Sequence, residues 1–259
     1  MVGPIITKTK SNMKNIVNLI IISFFIGGGF ILSGCNNEAD ISNISRITYF
    51  PTFAYEGGDF TLVPCNSGFV VPPVTATEGG NPIPVTVSTI GLTGPVPAVD
   101  PNKADNYVET SSAINGDGYP GEVVRSFWVA CTGDLVNSIE GLYTSTVARN
   151  SPTPRYFDLK YILIRKVGAN QYEISNADGG WYEFGRALGP AYRSAGAIVT
   201  ANDIPTNNFT FGPDVTVGTF GGSIHLTSMT VDPAAKKIVF TSDWDFGYTF
   251  TATLTQVAL

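Results

Sequence analysis

The sequence predicts an all-β protein built from two antiparallel, β-rich domains. The chain contains 28 glycines and 17 prolines, and only 14% of its residues are charged. No long segment repeats apolar residues at the 3.6-residue period of a helix. Short segments rich in β-branched and aromatic residues alternate instead with glycine- and proline-containing turns. This spacing is typical of β-sandwiches and β-barrels.

An export signal precedes these domains. Residues 15–32 are predominantly apolar, and the only charges before them are Lys8, Lys10 and Lys14. The run is near the roughly 20 residues of a transmembrane helix, but the polar, acidic stretch that follows it is not the basic flank of a usual anchor. Because the run ends in Leu32-Ser-Gly-Cys35, it resembles the bacterial lipoprotein signal. The resemblance implies cleavage before Cys35 and acylation of its thiol.

This resemblance makes the membrane a partner of the chain through a lipid anchor. We expect residues 1–34 to be a signal peptide with its natural start at Met13, and residues 35–44 to be an acylated tether. Each acyl methylene buried in lipid contributes about 0.8 kcal/mol, so several chains anchor a protein durably. Glu38 and Asp40 resemble the acidic export signal of Bacteroidetes lipoproteins, which implies the outer membrane and a position facing the cell exterior.

The charge balance argues against nucleic acid as a partner. Residues 1–34 contain three of the 15 basic residues and none of the 21 acidic ones, so the rest of the chain has a net charge of −9. A surface of this charge repels phosphate backbones.

The first domain is predicted at residues 45–131 as a β-sandwich. Three of its segments resemble the Ig-like repeats of bacterial surface proteins: Val74-Thr-Ala-Thr-Glu-Gly-Gly80, Asn106-Tyr-Val-Glu-Thr-Ser-Ser-Ala-Ile-Asn-Gly-Asp-Gly118 and Val124-Arg-Ser-Phe-Trp-Val129. The resemblance implies an Ig-like spacer or presentation module.

The second domain is predicted at residues 138–259 as an antiparallel β-meander, closed as a calycin-like barrel or folded as a second sandwich. Its predicted strands include 141–149, 157–166, Trp181–Phe184, 208–211 and 248–255. In the last, Tyr248, Phe250, Ala252 and Leu254 share one face and threonines the other.

This half resembles the C-terminal domain of uncharacterised two-domain Bacteroidetes lipoproteins found with starch-utilisation-type glycan import systems. The segments that carry the resemblance are Gly141-Leu-Tyr-Thr, Tyr172–Arg186, Gly189-Pro-Ala-Tyr192 and Ser228-Met-Thr-Val-Asp-Pro233. It implies glycan handling by analogy.

Cys65 and Cys131 lie near the start and the end of the first domain. In an oxidising envelope they could form a disulfide, and a loop of this length would add about 4 kcal/mol to stability. Two separate buried thiols are the alternative, because a sequence does not specify the geometry of the pair.

Chemistry-bearing residues are sparse. His225 is the only histidine, so neither a zinc site nor a Ser-His-Asp triad is supported. The loop at residues 100–105 lacks the spacing and the bidentate glutamate of a calcium loop. Carboxylates are plentiful in the predicted turns, but no two of them are singled out as a glycosidase pair. We therefore expect no catalytic residues, no metal and no cofactor, and a protein that is not an enzyme; a hydrolase that uses carboxylates in turns is the alternative.

A glycine-rich stretch at residues 176–196 has the most unusual composition, and aromatic rings there could stack on the C–H face of a sugar while charged side chains bind its hydroxyls. The candidate ligand-binding residues are Trp181, Tyr182, Phe184, Arg186, Tyr192, Arg193 and Trp244. The alternative is that these aromatics divide between core and surface and that the glycines form turns.

The sequence thus favours a non-catalytic cell-surface lipoprotein that binds a polysaccharide or oligosaccharide through its C-terminal domain. Alternatives are a structural accessory subunit of an outer-membrane transporter complex and a barrel that binds an apolar ligand.

Overall fold

Strands dominate the structure. The computed structural model describes residues 47–150 and 155–259, and in these residues 17 strands form three sheets. The all-β expectation is confirmed. The predicted signal peptide with its start at Met13, Cys35 and the tether at 35–44 lie outside the described residues. Residues Tyr49–Leu259 form one compact unit.

The first two sheets come from residues 52–130. The three-stranded sheet is antiparallel, in the order β1 (Thr52–Ala54), β3 (Thr75–Glu78) and β4 (Asn81–Ile83). The five-stranded sheet has the order β2 (Phe60–Pro64), β8 (Pro120–Ala130), β7 (Asp105–Ile114), β5 (Thr86–Gly91) and β6 (Gly94–Val96), in which β2 runs parallel to β8. Its core contains Val63, Tyr107 and Phe127. The Ig-like assignment stays a prediction.

The third sheet contains nine strands, and all neighbours are antiparallel. Their order is β13 (Asn208–Phe211), β12 (Ala197–Asp203), β11 (Gln171–Ile174), β10 (Arg155–Lys166), β9 (Gly141–Arg149), β17 (Tyr248–Gln256), β16 (Lys237–Trp244), β15 (Gly221–Asp232) and β14 (Val215–Val217). The sheet curls but stays an open half-barrel, because the end strands β13 and β14 are not paired with each other.

Strand alternation directs one face of this sheet into its concave side. In β17, Phe250, Ala252 and Leu254 are fully buried, while the threonines between them face outward. The predicted alternation of this strand is confirmed. The main core lies on this concave side and includes Val147, Ile162 and Phe240 with the neighbouring strands.

The opposite face of β9 and β10 packs on the five-stranded sheet. Leu142 and Leu163 contact Trp128 of β8 in a separate buried cluster. Beside it, Arg165 binds Asp105 of β7 (Nη1–Oδ2, 2.8 Å) and Glu173 of β11 (Nη2–Oε2, 2.9 Å). The Arg165–Asp105 pair joins the two sheets, whereas Glu173 lies beside Arg165 in the nine-stranded sheet. Because both carboxylates are buried, water does not screen either ion pair.

Cys65 and Cys131 form a disulfide with a Cα–Cα distance of 4.6 Å. Each follows directly the end of a strand, β2 and β8, and these strands are paired in parallel. The bond therefore closes the end of this strand pair and bridges a sequence separation of 66 residues.

Candidate functional site

The loop between β11 and β12 turns back into the half-barrel. Gly179 and Gly180 have φ values of +69° and +85°, in the left-handed region that favours glycine. The Asp178 Oδ1 atom accepts the backbone N–H groups of Gly180 (2.8 Å) and Trp181 (3.1 Å). A Cβ added to Gly179 would lie only 2.6 Å from the Cβ of Ala252, so the backbone reaches the sheet closely at this point.

The prediction that residues 181–184 form a strand is wrong. Trp181–Gly185 form a single π-helical turn, because the two left-handed glycines and the Asp178 cap reverse the chain immediately before it. The turn inserts its first two side chains into the concave core, where Trp181 is 1% exposed and Tyr182 is 3% exposed.

Trp181, Tyr182 and Trp244 therefore do not present the open faces expected of sugar platforms. Trp181 packs against Tyr156 (4.6 Å between ring centroids), and Trp244 is 5% exposed. The Trp244 indole N–H donates to the Gly221 carbonyl at 3.2 Å. These rings fill the concave side, where a barrel with an apolar ligand would need open space.

Arg193 is committed to the loop itself. Its guanidinium donates to Glu183 through Nε–Oε2 (2.7 Å) and Nη2–Oε1 (2.5 Å). Asn176 donates to the same carboxylate at 3.0 Å and accepts the Ser194 hydroxyl at 2.8 Å. This buried network ties the two ends of the loop together, so the expected role of Arg193 in binding a ligand hydroxyl is replaced by a structural one.

The remaining candidates have different surroundings. Phe184 is half-buried and packs against both the main core and the cluster around Trp128. Arg186 is exposed, and Tyr192 is half-buried with its ring 4.8 Å from that of Phe220. His225 is exposed on the outer face of β15.

A set of half-exposed rings lies where β9, β15, β16 and β17 meet at one end of the half-barrel. Together with the Arg149 guanidinium beside them, these rings form a surface that we call the aromatic mouth, and its members are Arg149, Tyr192, Phe220, Phe246 and Tyr248. Phe220 is 43% exposed and Phe246 is 58% exposed. Buried Trp244 supports this surface, since its ring lies 4.5 Å from Phe246 and 5.9 Å from Tyr248.

Sequence reasoning missed four members of the aromatic mouth: Arg149, Phe220, Phe246 and Tyr248. A local signal existed for two of them, because Phe220 precedes Gly221-Gly222 and Phe246 lies in a turn between Asp245 and Gly247. Large apolar residues in such turns stay partly exposed even where they pack within their own hairpin, as Phe246 does on Trp244 (4.5 Å between ring centroids). They indicate either a tertiary contact or an exposed binding surface.

The mouth can offer aromatic faces to a ligand and one cation beside them. The Arg149 Cζ atom lies 4.1 Å from the centroid of Tyr248 and 5.0 Å from that of Trp181.

A cleft of about 260 Å³ lies at the opposite end of the sheet, beside Asn137, Asn170, Asn202 and Tyr172. In the described ranges, no three His, Cys, Asp or Glu side chains form a cluster that could hold a metal ion. Nor does any helix of those ranges have the length and apolarity to cross a membrane.

Comparisons with known proteins cover both halves of the chain. Residues 132–256 match a family model described as a "-like, C-terminal domain", and this range includes the whole nine-stranded sheet. No curated protein matches the chain.

Among solved structures, the lipoprotein BT2262 from Bacteroides thetaiotaomicron is 25% identical, with a TM-score of 0.60 over 80% of this chain and 100% of BT2262. BF2706 from Bacteroides fragilis NCTC 9343, a candidate outer membrane protein, is 16% identical, with a TM-score of 0.29 over 76% of this chain and 86% of its own. The chain is thus similar over most of its length to a Bacteroides lipoprotein.

Proposed function

We propose that this protein is a non-catalytic, lipid-anchored lipoprotein of the outer cell surface that binds carbohydrate at the aromatic mouth. The lipoprotein part is supported by the Leu32-Ser-Gly-Cys35 sequence together with the similarity to BT2262. The acidic Glu38 and Asp40 after Cys35 support the outward orientation.

The observation that carries the binding proposal is the pair of half-exposed rings, Phe220 and Phe246, held on a buried aromatic support. Flat apolar faces match the C–H face of a sugar ring, and aromatic side chains lose little conformational entropy when they bind. Phe220 contacts Tyr182 (4.9 Å) and Tyr192 (4.8 Å), so its position is set by packing before any ligand arrives.

The test is retardation of residues 36–259 in native gels that contain plant, host or microbial polysaccharides. We expect at least one polysaccharide class to retard the protein. A Phe220→Ala/Phe246→Ala double variant should lose about tenfold or more of the affinity, because two stacking faces are removed. Tyr119→Ala is the matched control, since this ring is 51% exposed but belongs to the N-terminal half.

Equal retardation of the double variant and the wild-type protein would contradict the site. Absence of retardation across the whole panel would contradict glycan binding itself.

A second function is favoured by a different surface. Phe60, Ile90 and Val124 are 49%, 54% and 46% exposed on the five-stranded sheet, and such an apolar strip suits a protein partner. The alternative proposal is an accessory subunit of an outer-membrane transporter complex. Co-purification of the full chain with a transporter from detergent extracts, lost in Ile90→Asp but kept in Phe220→Ala, would favour it.

A further inference from the structure

Arg149 is placed at the aromatic mouth in a manner that a structural role alone does not explain. It is the last residue of β9 and points to the concave side, where its half-buried side chain lies against the faces of Tyr248 and Trp181. Contacts on the faces of a guanidinium leave its N–H edge free to bind another group.

The hydrogen-bonding capacity of this edge is almost unused by the described residues. The Arg149 Nη1 atom donates to the Tyr182 hydroxyl over a long distance of 3.5 Å. Its Nε atom is buried and has no partner in the part of the chain that the structure describes. A guanidinium has five N–H donors, and those left unpaired in apolar surroundings cost free energy.

The other buried or half-buried arginines differ in one respect. Arg125 pairs with Glu109, Arg165 with Asp105 and Glu173, and Arg193 with Glu183. Arg149 has no carboxylate partner within residues 47–150 and 155–259. This fold therefore neutralises its buried guanidinium groups with acids, except at the aromatic mouth.

We infer that the aromatic mouth selects an anionic glycan, with the Arg149 guanidinium binding a carboxylate or sulfate group of the sugar. The inference rests on the proposed glycan binding and specifies its ligand class. The aromatic faces hold the guanidinium in one plane, which prepares its N–H fork for an oxyanion. Stacking on the sugar and binding of its anionic group would use one surface. The aromatic contacts run without a break from Arg149 through Tyr248 and Trp244 to Phe246.

The acidic character of the chain does not prevent this selection. The net charge after residue 34 is −9, but charges farther than about 8 Å are largely screened at physiological ionic strength. The Asp245 carboxylate at the same end accepts the Ser223 backbone N–H at 2.9 Å and forms no ion pair among the described residues. Recognition of an anion therefore depends on the local guanidinium.

The experiment measures affinity for acidic polysaccharides beside their neutral counterparts. The probes are polygalacturonate and alginate with their carboxyl-reduced forms, and a sulfated galactan with its desulfated form. The proteins are the wild type, Arg149→Gln, Arg149→Lys and Lys166→Gln. Lys166 is exposed at the opposite end of the same sheet, so its variant matches the change in net charge. Thermal unfolding shows whether each variant is folded.

We expect the wild-type protein to bind at least one acidic probe about tenfold or more tightly than its neutral form. Arg149→Gln should abolish this difference, Arg149→Lys should keep part of it, and Lys166→Gln should retain it. The carboxylate and sulfate pairs identify which anion is recognised. If the Arg149 variants do not fold, the preference of the wild-type protein for acidic over neutral probes still tests whether the ligand is an anionic glycan.

Equal wild-type affinity for acidic and neutral forms, or a preference that survives in Arg149→Gln, would overturn the inference while glycan binding stands. Absence of binding to every polysaccharide, acidic or neutral, would overturn both proposals.

Discussion

Asp178 is a residue at which burial and hydrogen bonding oppose each other. Its side chain is fully buried, and this burial raises the pKa of the carboxyl from 3.8 to about 7. The backbone N–H groups of Gly180 and Trp181 favour the charged form but only partly offset the loss of solvation. Its second oxygen, Oδ2, has no partner among the described residues.

The stability of the protein should therefore depend on Asp178 and on pH. Because the folded state holds this proton more tightly than the unfolded state, the contribution is complete below about pH 4 and is lost as pH rises to about 7. The loss is about 4 kcal/mol for a shift of this size. Asp178→Asn, which is neutral throughout, should match the wild type at pH 4 and exceed its free energy of unfolding at pH 8.

Urea unfolding between pH 4 and pH 8 measures this difference. Asp214→Asn makes the same chemical change at an exposed carboxylate and should leave the pH profile unaltered. Parallel profiles for the wild type and Asp178→Asn would show that the carboxyl is not held neutral by burial.

The element that shapes the candidate site is the loop at residues 176–196, and Glu183 holds it together. Its carboxylate accepts Arg193 through two hydrogen bonds and Asn176 through a third. The pair is buried, with side chains 4% and 13% exposed. This loop supports the aromatic mouth because it carries Tyr182 and Tyr192, which both contact Phe220.

Glu183→Gln should destabilise the protein by about 3–5 kcal/mol, because it leaves the charge of Arg193 without a partner in a buried setting. Because the loop is then held less firmly, trypsin should also cleave after Arg186 and Arg193 at a higher rate. Urea unfolding and a tryptic time course measure the two effects. Asp158→Asn is the control, because it removes an ion pair with Lys160 in which the Asp158 and Lys160 side chains are 68% and 53% exposed. It should change stability little. Similar effects of the two substitutions would argue against the network.

At the scale of the whole molecule, two connections stabilise the five-stranded sheet and its packing on the half-barrel. The Arg165–Asp105 ion pair and the Trp128 cluster join the five-stranded sheet to the half-barrel. The Cys65–Cys131 disulfide closes the end of the β2 and β8 pair. The covalent loop that it forms contains strands β3 to β8. A loop of this length restricts the unfolded chain strongly.

A Cys65→Ser/Cys131→Ser variant should lose about 4 kcal/mol of unfolding free energy. Denaturant unfolding of both proteins, with and without a thiol reductant, measures this loss. The reductant should lower the stability of the wild type towards that of the variant and leave the variant unchanged. Equal stability of the oxidised wild type and the variant would contradict a stabilising bond.

Local sequence patterns predicted the strands whose residues alternate or whose turns are explicit. Strands β9 and β13 have the predicted bounds, and β17 extends the predicted strand by one residue. The segment Trp181–Phe184 has equally strong β-propensity but forms a π-helical turn, because Gly179 and Gly180 reverse the chain and the core accepts the rings. Propensity yields there to tertiary packing.

The sequence by itself determined the all-β class and, in strands such as β17, the alternation of apolar and polar side chains, because both follow from residues that are neighbours along the chain. Only the tertiary structure decided which aromatic rings are buried and which remain open. Burial of Trp181 and Trp244 and exposure of Phe220 and Phe246 depend on strands far apart in the sequence. The lack of a carboxylate partner for Arg149 among the described residues is likewise a property of their arrangement in space. Contacts of this kind have no period or motif in the chain, so the sequence contains the residues of the aromatic mouth without marking them as a site.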